Sequence, residues 1–92
     1  MLKINYHTSF KKDYKTIKKR GYNIKKLEKV IEILANEMQL PEQYKDHNLS
    51  GNYKGYRECH IESDWLLIYK IENDILTLTL VHTGTHSDLF RK

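Results

Sequence analysis

Ninety-two residues, 39% of them hydrophobic, with a formal net charge of +4, specify one small domain with no room for a second core. The single cysteine, Cys59, excludes an internal disulfide; no CxxC or close Cys/His spacing suggests structural zinc, and no apolar run approaches the roughly 20 residues of a membrane span. The N-terminus, MLKINYHTSF, has no signal-peptide pattern, so the expectation is a soluble, cytoplasmic protein without a membrane partner.

The charge is unevenly placed. Residues 1–30 hold ten Lys or Arg against Asp13 and Glu28, whereas the rest of the chain is net acidic and holds His47, His60, His82 and His86. A dense basic end points to a polyanion such as nucleic acid, although a solvated helix face has the same composition. The other end carries groups that titrate near neutrality.

In chain order, Leu2, Ile4 and Tyr6 alternate with polar residues, as in a short half-buried strand. Thr8 or Ser9 offers an N-cap for a basic helix whose apolar stripe is Phe10, Tyr14 and Ile17, and Gly21 ends it. Asn23 caps a second helix with Ile24, Leu27, Ile31, Leu34 and Met38 as its buried stripe and Val30 beside it; Pro41 lies beyond its end. Residues 42–55 form a long polar connection with two glycines, of a length that is commonly functional. Strands are expected near 56–61, 65–71 and 75–82, with Asn73-Asp74 turning between the last two. The tail THSDLFRK fits one helical turn anchored by Leu89 and Phe90. The order strand, helix, helix, three strands describes an α+β domain, β-α-α-β-β-β, spanning 1–92, with both helices on one face of an antiparallel sheet.

A three-strand meander brings the start of its middle strand beside the end of the third. His60, Asp64 and Trp65 are therefore expected to meet the segment from His82 to His86 at one edge. Histidines suit acid and base roles in cleaving RNA through its 2′-hydroxyl, a reaction that needs no metal, and a Lys or Arg suits the charge on the phosphorane. An exposed Trp65 or Phe90 would stack on an unpaired base. Trp65 reads equally well as core, and Asp64 equally well as a turn former. Cys59 reads as a small core residue.

KDHNLSGNYKGYRECHIESDW, the LLIYKI that follows, and TGTHSDLF together resemble the YafQ branch of the RelE/ParE toxin superfamily, and the resemblance covers essentially the whole chain. It implies a RelE-like fold and a ribosome-dependent mRNA endonuclease that cuts mRNA in the ribosomal A site by the 2′-hydroxyl route, with no cofactor and no metal. Carried over by motif, KDH supplies His47, the following strand His60, the DW pair Asp64 and Trp65, and the tail His86 and Phe90. The implied partner is an antitoxin of the RelB/DinJ type, and the basic helices would face ribosomal RNA. His60 with Asp64, or His47, would serve the 2′-hydroxyl, and His86 would protonate the leaving oxygen. The chain departs from the pattern at His82, where the family carries an arginine; Arg57, Lys45 or Lys54 would then hold the phosphate. Strict alternation from Leu80 points His82 into the core, so a bulge or strand end is needed to free it. Two alternatives remain: a ParE-like inhibitor of DNA gyrase without chemistry of its own, and a basic RNA-binding module without turnover.

Overall fold

A computed structural model describes residues 1–90. β1 (Lys3–Tyr6) leads into α1 (Thr8–Lys19) and α2 (Ile24–Ala35), followed by the two-residue β2 (His47–Asn48), β3 (Arg57–Glu62), β4 (Trp65–Glu72), β5 (Thr77–Gly84) and the short α3 (His86–Phe90). Single 3-10 turns at Glu42–Tyr44 and Gly51–Tyr53 break up the long connection, and a third, Asn73–Ile75, joins β4 to β5. The five strands form one sheet in the order β1-β5-β4-β3-β2.

The sheet is mixed, which corrects the expectation of a wholly antiparallel one. β1 pairs with β5 in parallel, from Lys3 opposite Thr77 to Tyr6 opposite Leu80. The outer edge of β5 would otherwise present unpaired backbone groups, and β1 occupies only its first half. Side chains of α1 complete the second half: Ser9 Oγ donates to the Val81 carbonyl at 2.6 Å, and Asp13 Oδ2 accepts from the Thr83 amide at 3.1 Å.

Helix ends follow local chemistry. The expected cap of α1 at Thr8 or Ser9 is moved to His7, whose Nδ1 accepts from the Ser9 amide. Ser9 is thereby freed for Val81. At the other end Gly21 adopts φ +82, the Gly21 amide reaches the Lys18 carbonyl and the Tyr22 amide reaches that of Ile17, each at 3.1 Å. That pair of bonds is a Schellman closure, which favours glycine at its left-handed position. Asn23 caps α2 by accepting from the Lys25 amide. α2 ends at Ala35, earlier than its stripe suggested, because Glu37 turns left-handed. Met38 therefore lies outside the helix and is exposed rather than buried.

The main core lies between the helices and one sheet face. Phe10, Ile17, Leu27, Val30 and Leu34 meet Cys59, Ile61, Trp65, Leu67, Tyr69, Leu78 and Leu80. In β4 the alternate residues Leu66 and Ile68 point the other way, yet both are fully buried. That second face carries the histidines.

Candidate active site

Strand register decides which side chains share the face away from the helices. Glu58 pairs with Ile68, which pairs with His82; His60 pairs with Leu66, which pairs with Gly84; and His47 pairs with Glu58. A one-residue bulge sets the register in β5. Tyr69 pairs with Leu80 and Ile68 with His82, leaving Val81 as the extra residue. His82 thus sits on the opposite face from Leu80.

The centre of the arrangement is Glu58, which the sequence did not single out. Its side chain is 4% exposed, and one oxygen, Oε1, lies 3.2 Å from His47 Nε2 and 3.7 Å from His60 Nε2. The other oxygen, Oε2, is buried and has no hydrogen-bond partner among the described residues. The two imidazole rings are 6.2 Å apart. His47 Nδ1 donates to the Lys45 carbonyl at 2.7 Å, and His60 Nδ1 is 3.4 Å from the Ser63 carbonyl. A carbonyl only accepts, so His47 Nδ1 is the donor in its 2.7 Å bond, and the Nε2 atoms of both rings face the carboxylate. Two imidazole lone pairs and a carboxylate repel one another unless a proton or a cation lies between them. The one signal for Glu58 in the sequence was its period-two spacing from His60, which puts both on one face.

His47 is held here by the motif that precedes it. Asp46 accepts from Arg57 Nη2 at 2.9 Å and from the Tyr69 hydroxyl, while Arg57 Nη1 donates to Asn48 at 2.6 Å. These bonds pin β2 against β3. They also correct the assignment of Arg57 to substrate phosphate: it pairs with Tyr69 on the helix side of the sheet, and Asp46 holds its guanidinium and raises its pKa further. Burial, and secondarily Asp46, raises the Tyr69 phenol. Cys59, 0% exposed, is pushed up by burial as well and is a core thiol.

At the other edge, Asp64 Oδ1 accepts from the His86 amide at 3.2 Å, so it caps the first residue of α3. The adjacent turn closes reciprocally: the Thr85 amide donates to Asp88 Oδ2, and the Asp88 amide donates to Thr85 Oγ1. Gly84 leaves room for this, since a Cβ there would lie 3.0 Å from Asp88 Oδ2. Asp88 in turn takes two hydrogen bonds from Arg20. His86 is exposed, with its ring 4.9 Å from Phe90. The expected meeting of the 60–65 and 82–86 segments is present, with Asp64 acting on the His86 backbone rather than on His60.

Trp65 is a correction. It is 2% exposed, its Nε1 donates to Thr83 Oγ1 at 2.9 Å, and Tyr22 packs edge-on against it at 4.9 Å. Its faces belong to the core, so it is no platform for a base. Phe90 is half-buried and lies 5.5 Å from Tyr53. His82 Nδ1 is 2.7 Å from Asp13 Oδ2, which ties it to α1 instead of leaving it free for phosphate. Lys45 lines a cleft of about 310 Å³ with His60, Tyr44 and Ser63. Lys54 is exposed just after the second 3-10 turn.

The family model for the bacterial YafQ toxin of type II toxin–antitoxin systems matches residues 2–91. The chain belongs to the YafQ toxin family. It is 43% identical over 88 residues to the mRNA interferase toxin YafQ of Escherichia coli strain K12, covering 95% of this chain and 94% of that one. Among solved structures, the metal-bound toxin from Helicobacter pylori superposes with a TM-score of 0.92 at 47% identity, covering 98% and 100% of the two chains. The toxin in the E. coli DinJ–YafQ complex gives 0.89 at 42% identity, covering 98% and 99%. The YafQ match accounts for the element order and for the α+β fold. In addition, His47, Glu58 and His60 place three ligand atoms within 4.8 Å of one another, a donor set of two imidazoles and a carboxylate that suits a transition-metal ion.

Proposed function

We propose that this YafQ-family toxin is an mRNA interferase, cutting mRNA in the ribosomal A site through attack of the 2′-hydroxyl on the adjacent phosphate. The observation that carries this is the buried Glu58 carboxylate set between the Nε2 atoms of His47 and His60. One imidazole takes the 2′-hydroxyl proton, and Glu58 stabilises the imidazolium that results. The oxygen attacks phosphorus, and the 5′-oxygen leaves with a proton from His86, giving a cyclic phosphate and a 5′-hydroxyl. Lys45, beside His60, offers charge to the phosphorane. Phe90 stacks on a base. Asp64 is a positioning residue, since it fixes the backbone of His86. The complex of an E. coli relative with DinJ supports a DinJ-type antitoxin as partner. The basic α1 and α2 face ribosomal RNA, and the cytoplasm is the compartment where this target is found.

The test is cleavage of ribosome-bound mRNA, with end analysis, by wild type, His60→Ala and His86→Ala. Wild type is expected to leave cyclic-phosphate ends, and each variant to lose about 10²-fold or more in rate. Cleavage at the wild-type rate by both variants would overturn the assignment. A gyrase inhibitor would instead produce DNA damage with translation intact, and a binding module would leave no cut ends.

A second reading concerns metal. The H. pylori relative is metal-bound, and His47, Glu58 and His60 would hold such an ion here. A bound transition metal supplies Lewis-acid polarisation. Ligation would also occupy both Nε2 lone pairs, which the proton-transfer route needs.

A further inference from the structure

Of the cations expected on the mRNA backbone, Arg57 is engaged by Asp46 and His82 by Asp13, which leaves Lys45 and Lys54. Another lies on the histidine face. Lys70 is two residues beyond Ile68 in β4 and pairs with Thr79, so it shares the face of Glu58, His60 and Leu66. One two-residue repeat of a strand is about 7 Å, a displacement of the order of one nucleotide step along an extended strand. Its ammonium stands 5.3 Å from the ring centre of Tyr56, which shares the face with Glu58 by the same alternation. Tyr56 meets Tyr53 edge-on at 6.2 Å, and Tyr53 meets Phe90 at 5.5 Å. A run of rings thus leads from Phe90 and His86 to a lysine.

No carboxylate among the described residues lies within ion-pairing distance of Lys70. Glu72, two residues further along the same face, accepts a hydrogen bond from the Thr79 hydroxyl at 3.4 Å. A half-buried lysine held over an aromatic ring and lacking an anion has the chemistry of a phosphate contact in a single-stranded nucleic-acid groove.

We propose that Lys70, held in place by Tyr56, binds the mRNA phosphate that flanks the scissile one, with Tyr53 continuing the stacking surface begun by Phe90. Its role as an mRNA contact rests on the interferase reading above, but its test does not depend on cleavage. The probe is a mixed-sequence 2′-O-methyl RNA oligonucleotide, which the 2′-hydroxyl route cannot cut, titrated with the full-length toxin at several salt concentrations. Lys70→Gln is expected to bind roughly 5- to 10-fold more weakly, with a log affinity versus log salt slope shallower by about 0.7, the value for one phosphate contact on a single strand. Lys70→Arg should keep both values near wild type, and Tyr56→Phe should behave as wild type while Tyr56→Leu follows Lys70→Gln. In the ribosomal cleavage assay the Lys70→Gln change should raise KM and leave kcat unaltered. Wild-type affinity and wild-type salt slope in Lys70→Gln would overturn the proposal. Failure of the wild type to cut mRNA, with the Lys70→Gln binding loss intact, would overturn the interferase reading and leave the phosphate contact standing.

Discussion

Arg20 at the C-terminal end of α1 and Asp88 in α3 are joined by two hydrogen bonds, 2.6 and 3.2 Å long, between positions 68 residues apart. This fork, with the reciprocal bonds between Thr85 and Asp88, is what fixes a five-residue helix carrying His86 and Phe90. Arg20 is therefore expected to matter for activity without touching RNA. Arg20→Ala should lower the cleavage rate with little change in melting temperature, and Arg20→Lys, which lacks the planar fork, should restore it only in part. Loss of amide-exchange protection confined to α3 would accompany the effect.

The same pair sets a pH dependence. The Arg20 guanidinium, together with the Thr85 amide, holds the Asp88 carboxyl well below the usual carboxylate range. A depressed folded-state pKa means that the contribution is complete above the unfolded value of about 4 and is lost as pH falls through the lower folded value. Protection of the α3 amides should thus be flat from neutral pH down to about pH 4 and fall only below it. Asp88→Asn should remove that low-pH step.

Glu58 is expected to serve activity at the expense of stability. Its Oε2 is buried without a partner, a condition that costs on the order of 1–3 kcal/mol. Glu58→Gln keeps the volume and removes the charge. It should reduce cleavage by about 10²-fold or more, while the melting temperature stays level or rises. A large fall in melting temperature would show that the carboxylate is a structural ion-pair member.

Copper or zinc added to the toxin should inhibit cleavage and be reversed by chelation, if His47, Glu58 and His60 are the ligands. Histidine resonances of those two rings should shift while that of His7, which caps α1, stays in place. His60→Gln should weaken the metal-induced shift at His47.

Trp65→Phe removes the indole bond to Thr83 from the core. The expected cost is about 1–2 kcal/mol, seen as a fall of several degrees in melting temperature, with RNA affinity unchanged. A base-stacking tryptophan would show the reverse.

Local signals were legible in the sequence because they depend on neighbours along the chain. Gly21 and Asn23 terminate and start the two helices as their chemistry dictates, and the strand alternation gave β3, β4 and β5 to within two residues. His82 was legible as a conflict: alternation from Leu80 drove it inward, and the bulge at Val81 resolves that conflict. Partners distant in sequence were not legible. Glu58 looks like any solvated strand glutamate until β2 brings His47 across from it. Arg57 looks available until Asp46 and Tyr69 are seen beside it. Trp65 and Phe90 are both aromatic and near the site, and only the Thr83 bond and the fit against Tyr22 distinguish core from surface.

The parallel pairing of β1 with β5 ties residues 3–6 to residues 77–80. Synthesis makes those partners almost a whole chain apart, and closing so long a loop is slow and gains little until the last strand arrives. α1 also rests on β5 through Ser9 and Asp13, so neither β1 nor α1 has its final neighbours on a nascent chain that stops before residue 77. His86 and its helix come later still. Until residues 77–84 have emerged from the ribosome, neither the first strand nor the first helix can complete its contacts, so the site that β5 and α3 frame is assembled only after both have been made.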